Sequence, residues 1–173
     1  IHTIPVGEVG GRPFLFVVGV GFDAEAVRFF DEDGSRQFGR LGLVEPVLRT
    51  LLSHRDRVLR VKTDRGVTEA RWVIVTRAKR YAADLLLAPD ADLRGTLFYV
   101  LCMKGSGPLA RLTQLFALAV GGLRFGPGVT LEAANWVRIE GDQRVPVQID
   151  GEVLGEMPLE IKIHPKRLKI ILP

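Results

Sequence analysis

The chain has 173 residues, is 47% hydrophobic and 25% charged, and carries a net charge of +4. That is the composition of a soluble globular domain, and its length lets one domain bury roughly 70% of its unfolded surface without help from a disulfide or metal. The mild basic balance suits contact with phosphates or an anionic surface, but no run of like charge is long enough for a nucleic-acid-binding tail.

In chain order, "IHTIPVGEV" and "PFLFVVGVG" (13–21) are separated by "GGR", which predicts a hairpin across residues 1–21. The period then changes in "FDAEAVRFFDE" (22–32), where Ala26, Phe29 and Phe30 share one helical face. Asp23 stands where a helix N-cap is expected. "GSRQFGRLG" reads as loop, and "GLVEPVLRTLLS" as a helix from Gly42 to about Ser53, with Pro46 in its first turn.

Two β-branched runs follow, "RVLRVKTD" (57–64) and "TEARWVIVTRA" (68–78), joined by a turn after Asp64. "KRYAADLLLAPDADLRG" (79–95) reads as a short strand and a loop, and "TLFYVLCM" (96–103) as another strand. Cys102 is the single cysteine, so no intrachain disulfide can form, and its apolar surroundings predict a buried, inert thiol. "PLARLTQLFALAVGGL" (108–123) predicts a helix ended by Gly121–Gly122. Its apolar core is far shorter than the ~20 residues of a membrane span. The strands then return in "VTLEAANWVRIEG" (129–141), "VPVQID" (145–150), "PLEIKIHP" (158–165) and "LKIILP" (168–173). Val145, Val147 and Ile149 fall on one face of their strand.

Roughly eight to ten strands in blocks, with about three helices, exclude the βαβ alternation of a parallel sheet. The expected fold is mainly β (α+β): an antiparallel two-sheet β-sandwich decorated with helices, forming one domain over 1–173. There is no Walker A loop, nucleophile elbow or zinc-ligand spacing, and His2, His54 and His164 are scattered.

Four stretches stand together in order and spacing: "GVGFDAEAV" (19–27), "VIVTRAKRYAADLLLAPDADLRGTL" (73–97), "FGPGVTLEAANWVRIEG" (125–141) and "VPVQIDGEVLGEMPLEIKIHPKRLKIILP" (145–173). The set resembles the C-terminal half of the catalytic region shared by diacylglycerol kinases, bacterial lipid kinases and sphingosine kinases. "QIDGE" followed by a proline and a closing strand is its most specific part. In that family an N-terminal α/β domain holds nucleotide phosphates on a Gly-Gly-Asp-Gly-Thr loop, and a C-terminal β-sandwich supplies the catalytic acid and lipid-binding surface. This chain has no such loop and begins at Ile1 inside a strand-like run, so the resemblance implies the second domain alone, inactive without the first.

The resemblance implies ATP and Mg²⁺ as cofactors, both held mainly by the absent domain. It implies a lipid substrate of the diacylglycerol kind, and the N-terminal nucleotide-binding domain as partner. It implies a cytoplasmic location with peripheral membrane contact and no nucleic acid. The lipid's identity and the oligomeric state stay open. Glu152 matches the family's proton acceptor, and Asp150 the acid beside it near the nucleotide and metal. Gly151 permits a sharp turn and close approach of substrate or cofactor. If the extended geometry continues, Asp150 and Glu152 lie on the same side of the chain.

Asp23 either caps a helix or belongs to a loop lining the interdomain cleft. Arg80 and Tyr81 either face a phosphate or headgroup or, for Arg80, snorkel over a core edge. Phe116, Leu118 and Phe125 either line a lipid path or are ordinary core. The run "PDADLRGTL" departs from the family pattern that holds a structural magnesium: Arg94 stands in the acidic neighbourhood and would oppose a cation, leaving Asp90 and Asp92 as ligand candidates. The rivals to a lipid kinase are a non-catalytic lipid- or partner-binding sandwich, and a related kinase of a soluble substrate such as a nicotinamide nucleotide.

Overall fold

The computed structural model describes residues 1–32, 44–81, 85–141 and 145–171. The loop expected at "GSRQFGRLG", residues 42–43 of the second helix, and Ala82–Asp84 within "KRYAAD" lie outside them. The fold is the expected β-sandwich, with every strand pairing antiparallel. One six-stranded sheet contains β1 (His2–Val9), β2 (Arg12–Phe14), β4 (Leu59–Thr63), β5 (Gly66–Ala70), β11 (Val137–Gly141) and β14 (Leu159–Ile170), in the order β2-β1-β14-β11-β4-β5. The other contains β3 (Val17–Val20), β6 (Trp72–Thr76), β9 (Phe98–Met103), β10 (Val129–Ala134), β12 (Pro146–Ile149) and β13 (Glu152–Glu156), in the order β10-β9-β6-β3-β12-β13. A separate hairpin pairs β7 (Arg80–Tyr81) with β8 (Leu85–Leu86).

Three helices, α1 (Phe22–Glu32), α2 (Val44–Ser53) and α3 (Gly107–Ala119), complete the described elements, and a short 3-10 turn, Leu123–Phe125, follows α3. The apolar residues divide into two layers. Val18, Val20, Val73, Val75, Val100, Ile139, Val147 and Ile161 fill the space between the sheets. Val17, Phe22, Trp72, Ile74, Leu101, Met103 and Leu118 pack the outer face of the second sheet beneath the helices. The second sheet is therefore covered on both faces, which is why β3 and β6 read as unbroken apolar runs and are buried throughout. Cys102 lies in this sheet, and burial pushes its thiol up to about 12, as an inert core group.

Expectations about connectivity are corrected at several strands. The predicted strand "PFLFVVGVG" divides at Leu15–Phe16: β2 completes a hairpin with β1 around Gly10–Gly11, and β3 crosses into the other sheet. "TEARWVIVTRA" divides the same way at Arg71 into β5 and β6, and "VTLEAANWVRIEG" at Asn135–Trp136 into β10 and β11. At the β2–β3 and β10–β11 crossovers the backbone N–H groups freed from the ladders are met by a carboxylate, and at the β5–β6 crossover Arg71 N donates to Met103 O (2.8 Å). Asp64 accepts from Asn135 N (3.0 Å) and Nδ2 (2.6 Å). Asp150 serves the first, as described below. In the opposite direction, "PLEIKIHP" and "LKIILP" merge into the single strand β14, which pairs along β1 with a register shift between Pro5 and Gly7.

Candidate functional site

The D-G-E sequence is a two-residue hairpin loop between β12 and β13, closed by the Ile149–Glu152 pair. Asp150 (φ 48°) and Gly151 (φ 90°) both have positive φ, as in a type I′ turn. Glycine adopts this freely; aspartate does so at a cost of roughly 1–2 kcal/mol. Asp150 is held there by its neighbours. Its Oδ2 accepts from Leu15 N (2.7 Å), its Oδ1 from Phe16 N (2.9 Å) and Val17 N (2.8 Å), and its own N–H donates to Val17 O (2.9 Å). The carboxylate therefore staples the turn to the crossover between the sheets.

This corrects the expectation that alternation sets Asp150 and Glu152 side by side. The chain is not extended through Asp150, whose carboxylate turns back onto the β2–β3 crossover. Glu152 opens β13 with an exposed side chain.

A second network holds the turn from the helix side. Gln148 is fully buried on β12; its Oε1 accepts from Gly151 N (2.9 Å) and its Nε2 donates to Asp23 Oδ2 (2.6 Å). The Tyr81 hydroxyl donates to both Asp23 oxygens at 3.3 Å. Asp23 is thus the second residue of α1 rather than its N-cap, and its side chain points into the protein. The Gly-x-Gly-Phe-Asp sequence has a direct explanation. A Cβ at Gly19 would lie 1.8 Å from Asp23 Oδ2, so only glycine leaves room for the carboxylate. Gly21, at φ +89°, turns the chain from β3 into α1.

Burial raises the Asp23 carboxyl to about 6, against the lowering effect of its bonds from Gln148 and Tyr81. Burial and the adjacent Asp23 charge also raise the Tyr81 phenol. The folded protein therefore keeps the Asp23 proton to higher pH than the unfolded chain does. Stability from this group falls as pH rises from about 4 through about 6 and is level above that. We expect urea unfolding at a series of pH values to show wild type losing about 3 kcal/mol relative to Asp23→Asn across that window. A difference that does not change with pH would place the titration elsewhere.

The structure joins Asp23, Tyr81, Gly151 and Asp150 through hydrogen bonds to one turn and sets Glu152 at its rim. Arg80, one residue before Tyr81, is exposed on β7. Leu118 is core, whereas Phe116 and Phe125 are exposed on the helix layer.

The loop that carries Asp90 and Asp92 is held by other contacts. Asp92 Oδ1 accepts from Arg94 N (2.9 Å). The carbonyls of Leu93 and Gly95 in the same loop accept from Arg77 Nη2 at 2.9 and 3.0 Å, while Arg77 Nη1 donates to Pro5 O (2.7 Å). A fully buried guanidinium already holds the loop and would repel a second cation. Among the described residues no three His, Cys, Asp or Glu side chains converge as a metal site.

One feature carried no signal in the sequence pattern. A cavity of about 380 Å³ beside the turn is lined by Asp150, Phe14, Leu15, His164, Lys166 and Arg167, among others. It sets cationic side chains from "HPKRLK" next to the D-G-E turn, a neighbourhood only the β1–β14 pairing creates.

The sequence profile of the family described as "YegS C-terminal NAD kinase beta sandwich-like domain" matches residues 16–172. A protein of Streptococcus pneumoniae serotype 4 named "Putative lipid kinase" is 20% identical over 171 residues, 98% of this chain and 57% of its own length. A "Diacylglycerol kinase" of Bacillus subtilis is 21% identical over 175 residues, 99% of this chain and 57% of its own. The chain thus spans little more than half the length of the curated relatives it matches. A crystal structure of a "putative diacylglycerol kinase" from Bacillus anthracis superposes with a TM-score of 0.71 at 18% identity, covering 94% of this chain and 54% of that one. Among the described residues no helix is long and apolar enough to cross a membrane.

Proposed function

The chain belongs to the YegS C-terminal NAD kinase beta sandwich-like domain family, and from that premise we propose that it is the substrate-side domain of an ATP-dependent lipid kinase. The observation that carries this reading is the state of the D-G-E turn. An exposed carboxylate, Glu152, stands on a loop whose two preceding residues are fixed from both sides, Asp150 by three backbone donors and Gly151 by Gln148. A general base needs such a mount, because proton transfer is sensitive to placement on the scale of a hydrogen bond.

In this reading Glu152 accepts the proton of a lipid hydroxyl as that oxygen bonds to the γ-phosphorus of ATP and the bond to the β-phosphate oxygen breaks. Asp150, Gln148, Asp23 and Tyr81 are positioning residues; they hold the turn and touch no reacting atom. Lys166 and Arg167 place positive charge at the cavity beside Asp150, where an incoming polyphosphate would be favoured. ATP would be held mainly by a nucleotide-binding domain outside this chain, and bound Mg²⁺ would neutralise charge on its phosphates. The lipid kinase and diacylglycerol kinase names of the relatives support a lipid as acceptor.

The test is an assay of the full-length protein with γ-labelled ATP against a panel of diacylglycerol, other long-chain alcohols and a soluble nicotinamide nucleotide. Label in a lipid is the expected result. Label in the nucleotide alone would move the reading to a soluble-substrate kinase. No label anywhere, with nucleotide bound, would leave a binding module.

A further inference from the structure

Helix α3 is built with its polarity reversed. Arg111, Gln114 and Leu118 face inward and are buried. Leu109, Leu112, Phe116 and Val120 recur at a spacing of three or four residues on the other side and are 73%, 52%, 69% and 65% exposed. The inward face is polar for a local reason: Arg111 Nη2 meets Asp56 Oδ2 (3.0 Å) and its guanidinium donates to the carbonyls of Leu51 (3.0 Å) and His54 (3.1 Å), tying α3 to α2 and the loop that follows it. A helix at a water-facing surface shows the opposite pattern. Phe125, in the turn after α3, is 77% exposed as well.

The charge around this ridge is of one sign along the chain. No Asp or Glu occurs between Asp92 and Glu132, whereas Lys104 precedes α3 and Arg124 follows it. Arg124 lies over the Phe125 ring, 4.6 Å from its centroid, which places a cation beside a strongly exposed aromatic. The acid in contact with α3, Asp56, is taken up on its inward side by Arg111; Asp90 and Glu132 line a concavity with Phe125, Arg65 and Arg124, and Glu132 accepts from the Thr63 hydroxyl (3.0 Å).

We propose that the outer face of α3, with Phe125 and Arg124, docks on an anionic phospholipid bilayer, its apolar side chains entering the headgroup–acyl boundary and Lys104 and Arg124 meeting lipid phosphates. Aromatic and aliphatic residues on one stripe, flanked by basic residues and free of acids, are the signature of an interfacial helix. Placement in the fold favours a bilayer over the absent domain as the occupant. That domain must close on the D-G-E turn between β12 and β13, whereas the inner face of α3 packs in the layer over β9. Three to four strand spacings, about 14–19 Å, separate the two. The inference deepens the lipid-kinase reading and rests on it for its biological sense, though not for its geometry.

The test is cosedimentation of the full-length protein with vesicles of phosphatidylcholine, alone or containing one part in three phosphatidylglycerol, for wild type, Leu112→Ser and Phe116→Ser. Both positions are exposed, so melting temperatures should be unchanged. Wild type should bind the anionic vesicles, less well as salt rises, and each variant should bind at least about tenfold more weakly. Undiminished binding by the variants would overturn the proposal by placing the contact on another face. No binding by wild type would also overturn it, and a dimer lost on Phe116→Ser would then assign the ridge to a second copy. Phosphorylation of detergent-dispersed lipid by the same preparations reads the kinase reading separately, since it needs no bilayer.

Discussion

Replacing Glu152 by glutamine in the full-length protein should lower lipid phosphorylation by about 10²–10⁴-fold, the range that general-base catalysis contributes. Glutamine keeps the shape of the side chain and removes its ability to take a proton. The residue is exposed at the start of β13, and its backbone pairs with Ile149, a contact the substitution leaves in place. Stability should therefore move by no more than about 0.5 kcal/mol. The loss should fall on kcat rather than on KM for ATP, because the lost interaction belongs to the transition state. Steady-state kinetics beside a melting curve checks both halves. Unchanged kcat in a folded variant would remove Glu152 from the mechanism and leave the lipid-kinase reading standing.

The second large effect concerns Arg77. It sits at the end of β6 with no exposed surface, and its guanidinium bridges Pro5 of β1 to Leu93 and Gly95 of the loop before β9. Burial alone would lower its basicity, while the charge of Asp150 supports the cation. Arg77→Met fills similar volume but leaves three carbonyls without their donor. The expected cost is about 3–5 kcal/mol, seen as a melting temperature lower by about 10 °C in a chain of this size. Arg77→Lys should recover only part, because one ammonium cannot follow three carbonyls with the planar fork of a guanidinium. If the guanidinium is the cation that orders this loop, EDTA and millimolar Mg²⁺ should both leave wild-type melting unchanged. Stabilisation of wild type by Mg²⁺ would return a metal to Asp90 and Asp92.

The elements legible in the sequence were those with a local cause. α1 begins and ends where the change of period places it, and the alternation of Val145, Val147 and Ile149 correctly marks the face of β12 in the inter-sheet core. The D-G-E turn is legible from its own residues and those around it. Tertiary causes were hidden. The donors to Asp150 lie more than 130 residues away in sequence, so nothing local announces the staple. Gln148 alternates with the core-facing residues of its strand and reads as solvent-facing, yet it is fully buried because helices cover that face of the sheet.

Two side chains reversed the usual rule for their type. Arg77 reads as the polar end of a strand and becomes buried, since the carbonyls that hold it come from segments on either side of it in sequence. Phe116 reads as core or as lipid path and is exposed, because Arg111 and Gln114 take the inward side of α3. In both cases the missing information was a partner on another element, and periodicity within one element cannot supply it.

The two carboxylate-clamped crossovers have a consequence for how the protein comes apart. β2 and β10 each continue directly into a strand of the opposite sheet, and the joints are closed by Asp150 and Asp64, which themselves lie next to strands of the second and first sheet respectively. Neither sheet can peel away without breaking a carboxylate clamp and baring the apolar layer shared with the other. Partial unfolding that spares one sheet is thereby penalised at both seams, so the sandwich should melt in a single cooperative step. The D-G-E turn, anchored in one of those seams, would keep its shape until the whole fold is lost.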